Sequence, residues 1–128
     1  LLLERERAED CGLSLVDELE RVWVEVKNVT LVREGVAAFP DAPTARGRKH
    51  LRELRRKVVA GDRAMLIFVV QRSDAREVVA ADDIDPEYGE ELRRAREAGV
   101  EVLAWMARVS PSEVVLERAL PVTGILRS

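Results

Sequence analysis

The run Ala64-Met65-Leu66-Ile67-Phe68-Val69-Val70 indicates how this chain of 128 residues folds. Its unbroken apolar character predicts a strand that is covered on both faces. Further along the chain, Asp85-Pro86 predicts the start of a helix with Asp85 as the N-cap, and Gly99 predicts its end. Residues 100–109 predict another strand. Strand, helix and strand together form a βαβ unit, so the two strands are expected to be parallel.

Two more strands are predicted upstream of this unit. Residues 21–31 are rich in β-branched side chains, which predicts a long strand. Residues 1–3 predict the end of another strand, and the polar residues 4–11 predict the turn that follows it. Two prolines are expected to keep residues 35–44 in a loop.

A helix is predicted between residue 44 and the apolar run. Thr44 is a suitable N-cap, and Gly61 ends the helix. The stripe of apolar residues that faces the core is Leu51, Leu54 and Val58. Gly47 lies on the same face, where its missing side chain would let the helix approach the sheet closely. The whole order predicts an α/β fold, in which residues 1–128 form one domain with a mixed β-sheet flanked by helices.

Composition excludes several classes of protein. Hydrophobic types make up 47% of the residues and charged types 35%, which is typical of a globular protein. No apolar run approaches the ~18–20 residues that a membrane span needs, so we expect no membrane association. The one cysteine, Cys11, cannot form an internal disulfide or a Cys-based zinc site. A reducing, cytoplasmic setting is therefore expected.

Charge is distributed unevenly along the chain. The formal net charge of −3, taken alone, argues against a nucleic-acid partner. Residues 46–63, however, contain eight basic side chains and only two acidic ones. A basic stripe on an acidic body can still attract a polyanion, because charge acts over ~8–10 Å in physiological salt.

Glu25 and Lys27 are the strongest candidates for chemistry. Side chains alternate along a strand, so these two share one face with the apolar Trp23 and Val29. They form either a solvent-facing ion pair of little energetic value or, because their neighbours are apolar, a pair that binds an ion or a substrate. In the second case the carboxylate of Glu25 and the carbonyl of Val26 are oxygen ligands for Mg²⁺ or Mn²⁺. Lys27 would orient the attacking water or stabilise charge on a phosphate, as in metal-dependent phosphodiester cleavage, provided that an adjacent strand supplies a second carboxylate.

A second group of polar residues could contact nucleic-acid phosphates. Its members are Arg46, Arg48, Lys49, His50, Arg52, Gln71 and Arg72. The helical residues are either a solvated charged face or, if the helix begins beside Glu25, contacts to phosphates. For His50, a packed or capping role is the alternative. Gln71 and Arg72 follow a buried strand, where α/β sheets place ligand contacts, although ordinary turn chemistry also explains them.

Several blocks of the sequence occur in a familiar order and spacing. They are residues 24–31, 39–54, 68–74, 85–88, 98–102 and 120–122. Together they resemble the sugar fermentation stimulation protein A family of bacteria and archaea. The resemblance implies a C-terminal domain with a PD-(D/E)xK restriction-endonuclease-like core, which in the family follows an OB-like domain. It also implies DNA binding with a link to sugar metabolism, and Glu25 and Lys27 as the nuclease-like site.

The resemblance also implies that part of the site is missing. In the family, an Asp on the strand beside Glu-x-Lys is the first metal ligand, and this chain begins at Leu1, about where that Asp would just have passed. We therefore expect an N-terminally truncated domain that lacks the OB-like domain and the first nuclease elements. Pro40-Asp41 follows Glu-x-Lys in the chain and is not the Pro-Asp of the motif.

Three functions remain open from the sequence. The first is a DNA-binding, nuclease-like domain with half of a metal site. The second is a non-catalytic nucleic-acid-binding module on the same fold, in which Glu25 and Lys27 are a structural pair. The third is a structural or interaction domain that binds no DNA at physiological salt.

Overall fold

The protein contains two β-sheets and two helices. The structure, a computed structural model, describes residues 2–6 and 19–124, with side chains described from residue 22 onward. In chain order the elements are β1 (Leu2–Glu6), β2 (Leu19–Val29), β3 (Leu31–Arg33), β4 (Val36–Phe39), α1 (Ala45–Val59), β5 (Arg63–Val70), β6 (Glu77–Ala80), α2 (Pro86–Ala98), β7 (Glu101–Val109) and β8 (Val114–Leu120).

The larger sheet has five strands in the order β1-β2-β5-β7-β8. The three central strands are parallel, and an antiparallel strand lies at each edge. The parallel pairing of β5 with β7 confirms the βαβ unit that the sequence predicts. The fold class, a mixed sheet with flanking helices, is also confirmed.

The two helices begin at the predicted caps. The Thr44 hydroxyl accepts a hydrogen bond from the Gly47 backbone N–H (2.9 Å) at the start of α1. The Asp85 carboxylate accepts one from the Tyr88 N–H (3.0 Å) at the start of α2. Gly99 ends α2 with φ of 115°, a left-handed conformation that glycine adopts without strain. Local capping chemistry therefore sets the helix boundaries.

Both helices pack on one face of the five-stranded sheet, which we call the inner face. The core there combines Leu51 and Leu54 of α1, Leu92 of α2, Leu66 and Phe68 of β5, and Val102 of β7. Each crossover from one parallel strand to the next carries its helix to this same side. Neither helix is long and apolar enough to span a membrane within the described part of the chain.

The opposite, outer face carries no helix among the described residues. Val26, Ile67 and Leu103 form one row across its three parallel strands. Val26 is 46% exposed and Leu103 is 41% exposed. Within the run 64–70 itself, the outer-face side chains of Met65 and Ile67 are half-buried and that of Val69 is buried, so the predicted cover is full on the inner face and partial on the outer face. The reason is topological, because both crossovers place their helices on the inner side.

Two predictions of irregular structure are also corrected. Residues 36–39, expected in a loop, form β4, because they pair with β3 on one side and with β6 on the other. Residues 4–6, expected in a turn, belong to β1 and pair with β2. The remainder of that predicted turn, residues 7–11, lies outside the described residues. Strand pairing with distant segments overrides local turn preferences in both places.

Candidate functional site

Glu25 and Lys27 face α1 from the middle of β2. The Lys27 ammonium Nζ lies 3.3 Å from Glu25 Oε1, and the two side chains are 15% and 27% exposed respectively. The helix above them and the alternation of β2 place this pair on the inner face rather than in open solvent. The pair is therefore a half-buried ion pair, not a solvent-facing one.

His50 of α1 completes a three-residue cluster with this pair. Its Nδ1 lies 2.9 Å from Lys27 Nζ and 3.3 Å from Glu25 Oε1. Nδ1 accepts from the Lys27 ammonium in the tautomer that carries its proton on Nε2, whereas a protonated Nδ1 donates to the Glu25 carboxylate. The ammonium is held between a carboxylate and a ring nitrogen. His50 thus belongs with Glu25 and Lys27, and not with the exposed basic residues of the same helix.

A cavity of about 420 Å³ borders Glu25 between β2 and α1. Its lining residues are Trp23, Val24, Glu25, His50, Glu53, Leu54, Arg56 and Lys57. The Trp23 indole N–H donates to Asp62 Oδ2 (3.0 Å), and Lys57 Nζ lies 4.0 Å above the ring centroid. These two contacts fix the ring in the cavity wall. The cavity gives a small molecule or water access to the Glu25 carboxylate.

The N-terminal ends of the two helices are joined by one buried carboxylate. Asp85 Oδ2 accepts hydrogen bonds from the Thr44 N–H (2.9 Å) and from the Arg48 guanidinium (2.8 Å). Burial acts to raise the pKa of Asp85, but the N–H groups of Thr44 and Tyr88 and the charge of Arg48 outweigh it. The pKa of Asp85 therefore lies below its ordinary value. Asp85 is a structural cap, as the sequence predicts.

Tyr88 is a candidate site residue that the sequence did not single out. Its ring lies against α1 at Gly47, where a Cβ atom would be 3.1 Å from the ring atom Cε2. Burial raises the pKa of the Tyr88 hydroxyl, and the negative charges of Glu25 and Asp85 raise it further. Gly47 was expected to let α1 approach the sheet closely. It instead leaves room for the Tyr88 side chain of α2. The three-residue spacing between the cap Asp85 and Tyr88 is the sequence signal that could have indicated this position.

The remaining candidates for phosphate contacts on α1 fall into two groups. Arg48 is held by Asp85 and by Glu87 Oε2 (3.5 Å), so its charge is used at the helix junction. Arg46 and Arg52 have no ion-pair partner among the described residues, and Lys49 is only loosely paired, 4.0 Å from Glu53.

The last two candidates lie away from the cluster on β2. Gln71 and Arg72 are exposed at the end of β5, where Arg72 makes two hydrogen bonds with Asp74 (2.7 and 3.1 Å). The structure therefore brings His50 to Glu25 and Lys27, but it does not bring Gln71 or Arg72 into contact with them.

Metal ligands are incomplete within the described residues. No group of three or more His, Cys, Asp or Glu side chains there could hold a metal ion. Val26 directs its side chain to the outer face, so only its backbone carbonyl could serve as a ligand. On the side of β2 away from β5, the pairing with β1 stops at Leu2 opposite Trp23. Beyond that pair, the part of the chain that the structure describes supplies no strand beside Glu25.

Comparison with known proteins gives consistent matches. The family model described as the sugar fermentation stimulation protein RE domain matches residues 7–113. A sugar fermentation stimulation protein homolog from Geobacter sulfurreducens is 60% identical over 102 residues, which are 80% of this chain and 44% of that relative. A homolog from Thioalkalivibrio sulfidiphilus is 59% identical over 111 residues, which are 86% of this chain and 47% of that relative.

A solved structure also resembles this fold. The structure of Pyrococcus furiosus SfsA in complex with Ca²⁺ matches with a TM-score of 0.74 and 31% sequence identity. The match covers 81% of this chain and 47% of that chain. The chain therefore spans about half the length of the proteins that it matches.

Proposed function

Because this chain belongs to the sugar fermentation stimulation protein family, we propose that it is a DNA-binding, nuclease-like domain that holds a divalent cation at Glu25. The observation that carries the proposal is the cluster of Glu25, Lys27 and His50 on the helix-covered face of the sheet. Charged groups are taken out of water only where they are paired or bind something. The family name supports a link between this activity and sugar metabolism.

The residues at Glu25 fit a hard cation in part. Glu25 supplies a carboxylate that borders a cavity, and Val26 supplies a backbone carbonyl, and both are oxygen donors of the kind that Mg²⁺ and Mn²⁺ prefer. A longer chain that continued β1 upstream would run beside Glu25, since Leu2 already lies opposite Trp23. The Ca²⁺ complex of the Pyrococcus furiosus protein supports a divalent cation in the family. When bound, the cation would polarise a phosphate oxygen and activate water.

Lys27 and His50 would act on the substrate rather than on the cation. The ammonium of Lys27 is restrained by Glu25 and His50, so it can donate to a phosphate oxygen without a large loss of side-chain freedom. In the tautomer that carries its proton on Nε2, His50 would give the site a second donor. Both groups would stabilise negative charge that develops during phosphodiester cleavage.

The cations of α1 that lack a close ion pair would supply general affinity for DNA. Arg46 and Arg52 have no ion-pair partner within the described ranges, and Lys49 is held only loosely. Such side chains contact phosphates regardless of base sequence. Arg48 would contribute less than its exposed neighbours, because Asp85 and Glu87 already hold its guanidinium.

Charge reversal on α1 tests DNA binding. Replacing Arg46, Lys49 and Arg52 by Glu should weaken binding to unrelated duplexes equally and lower the salt slope by about one for each lost phosphate contact. The matched control reverses Arg33, Arg76 and Arg108, three exposed arginines outside α1. Fluorescence anisotropy over a salt series gives both slopes. Equal losses in the two triple variants would show that α1 is no specific DNA-binding surface.

Calorimetry with Mn²⁺ tests the cation site. One carboxylate and one carbonyl leave Mg²⁺ or Mn²⁺ mostly hydrated, so this chain should bind Mn²⁺ weakly and cleave DNA slowly or not at all. Joining the upstream half of the Geobacter sulfurreducens homolog should tighten Mn²⁺ binding, and Glu25→Ala should abolish that gain. Lys27→Ala should leave Mn²⁺ binding intact and remove cleavage. If Glu25→Ala leaves the gained affinity unchanged, Glu25 is not a metal ligand.

A second candidate function is a non-catalytic nucleic-acid-binding module. The 3.3 Å ion pair between Glu25 and Lys27 favours it, because a carboxylate that is already paired has less need of a cation. This function predicts salt-dependent DNA binding that is unaffected by Mn²⁺, with no cleavage by the longer chain. The same titrations therefore separate the two candidates.

A further inference from the structure

Tyr88 is held rigidly where α2 meets α1. Its backbone N–H donates to the Asp85 carboxylate (3.0 Å), which fixes the first turn of α2. Its side chain is 0% exposed, and its ring packs edge-on to Phe39 with a centroid distance of 5.3 Å. The side chain therefore has one orientation, set by the helix cap and by the aromatic contact.

The ring enters the compartment that contains Glu25 and Lys27. It lies against α1 at Gly47, and His50 follows Gly47 by three residues, which places both on the same side of the helix. Below the ring, Phe39 contacts Phe68 (5.6 Å between centroids), and Phe68 is the register partner of Lys27 on the next strand. Tyr88 and the polar cluster thus share the space between α1 and the inner face of the sheet.

The hydroxyl of Tyr88 has no hydrogen-bond partner among the described residues. A buried hydroxyl that bonds to nothing is costly, and native proteins satisfy such groups with protein atoms or with ordered water. Glu25 faces the same compartment, and its negative charge raises the pKa of this hydroxyl after the larger effect of burial. The nearby carboxylate can accept hydrogen bonds but does not contact the hydroxyl directly.

We infer that Tyr88 and Glu25 share one buried water molecule: the Tyr88 hydroxyl donates to the water, and the water donates to the Glu25 carboxylate. The cavity borders the Glu25 carboxylate, which is the acceptor end of this bridge. A polar site with two fixed partners is the kind that retains internal water. Tyr88 is then a positioning residue, which holds the Glu25 carboxylate through the water. That role rests on the proposed function, whereas the water bridge itself does not.

Carbon-13 NMR of the Tyr88 Cζ atom tests the bridge without metal or DNA. Tyr88 is the only tyrosine in the chain, so a Cζ label gives one resonance that responds to hydrogen bonding of the hydroxyl. Glu25→Gln should move this resonance by more than its line width. Glu53→Gln removes the same charge from another residue that lines the cavity and should leave the resonance in place. An unmoved resonance in Glu25→Gln would overturn the inference.

Thermal unfolding of Tyr88→Phe gives an independent measurement. Phe keeps the ring and removes only the hydroxyl. A hydroxyl that truly lacked a partner would be a liability, and its removal would leave the unfolding midpoint unchanged or raise it. A hydroxyl bonded to water and through it to Glu25 stabilises the fold, so the midpoint should fall. A midpoint that stays constant or rises would contradict the bridge.

Mn²⁺ titration of the longer chain separates the two proposals. If Glu25 binds the cation and Tyr88 positions it, Tyr88→Phe should weaken Mn²⁺ binding severalfold while Glu25→Ala removes it. If the cation proposal is wrong, neither variant affects Mn²⁺ binding, yet the Cζ shift and the lower unfolding midpoint persist. If Tyr88→Phe leaves Mn²⁺ affinity intact while Glu25→Ala abolishes it, Tyr88 has no positioning role.

Discussion

Around the middle of β2, the inner and outer faces of the five-stranded sheet combine polarity and burial in opposite ways. On the inner face, the helices cover Leu66, which is 0% exposed, and α1 also covers the charged pair Glu25 and Lys27. On the outer face, Val26 and Leu103 are apolar and nearly half exposed. Strands at the surface usually direct polar residues to solvent and apolar residues to the core. In β2 the middle residues do the reverse.

This reversal is the reason for placing the proposed site on β2. Alternation of polar and apolar residues along β2 is what a surface strand shows, and it is compatible with Glu25 and Lys27 in solvent. The contact with His50 of α1 shows that they lie under a helix instead. Placing a carboxylate and an ammonium there costs desolvation energy that apolar residues would avoid. A polar cluster on the covered side is therefore a stronger sign of function than the Glu-x-Lys spacing.

Truncating one leucine on each face gives the largest expected difference. Leu66→Ala on the inner face should lower the free energy of unfolding by about 2–5 kcal/mol, because it leaves a cavity in a packed core. Leu103→Ala on the outer face should cost about 1 kcal/mol, since much of that side chain is already in water. Urea unfolding measures both. Similar losses for the two variants would mean that another part of the protein covers the outer face.

Removing the carboxylate that joins the helices should loosen the cover of the inner face. Asp85→Ala should destabilise the fold by about 1–3 kcal/mol at pH 7, because two backbone N–H groups and Arg48 lose their acceptor. The folded pKa of Asp85 is lowered, so its contribution is complete above the unfolded pKa of about 3.9 and is lost as the pH falls through the folded pKa. Urea unfolding over a pH series should show the wild-type advantage shrinking below about pH 4.

The control for Asp85 is a carboxylate that lies outside the helix junction. Asp83 is exposed and paired with Arg33 (2.8 Å), so Asp83→Ala should change stability by only about 0.5 kcal/mol. If the stability difference between the wild type and Asp85→Ala stayed constant as the pH fell below about 4, the lowered pKa of Asp85 would be contradicted.

A smaller effect is expected where α1 contacts Tyr88. Gly47→Ala should lower the free energy of unfolding by about 1–2 kcal/mol, although in a helix interior alanine is normally more stable than glycine by about 1 kcal/mol. The added Cβ would be 2.8 Å from Thr44 Cγ2 and 3.1 Å from Tyr88 Cε2. Thermal unfolding measures the effect. The control is Glu53→Ala, a substitution on the same helix but outside this contact. A stabilised Gly47→Ala would show that α1 and Tyr88 are not tightly packed.

The smallest effect is expected on the side of α1 that faces away from the sheet. Lys49→Ala should change the free energy of unfolding by no more than about 0.5 kcal/mol, because its pair with Glu53 is 4.0 Å long and exposed. The same substitution should nevertheless weaken DNA binding at low salt. A large loss of stability would mean that Lys49 has a structural contact and is not available to phosphates.

Most helices and strands of this fold could be predicted from local chemistry, but the segments that each one packs against or pairs with could not. Thr44 and Asp85 mark helix starts because their side chains cap the first turn, and these positions are confirmed. Residues 36–39 form a strand by pairing with β6, a segment far along the chain. The two prolines nearby predict a loop instead, because they break regular structure. The approach of Tyr88 to Gly47 depends on how two helices meet, which no local pattern indicates.

The sequence by itself determined the α/β class, the helix boundaries and the shared face of Glu25 and Lys27. These features follow from caps, apolar runs and the two-residue repeat of a strand, which act over a few residues. Only the tertiary structure decided which face is covered, that His50 joins the pair, and that the Tyr88 hydroxyl is buried. Those outcomes depend on the side to which each crossover carries its helix, and contacts between segments so far apart in the chain leave no local pattern to read.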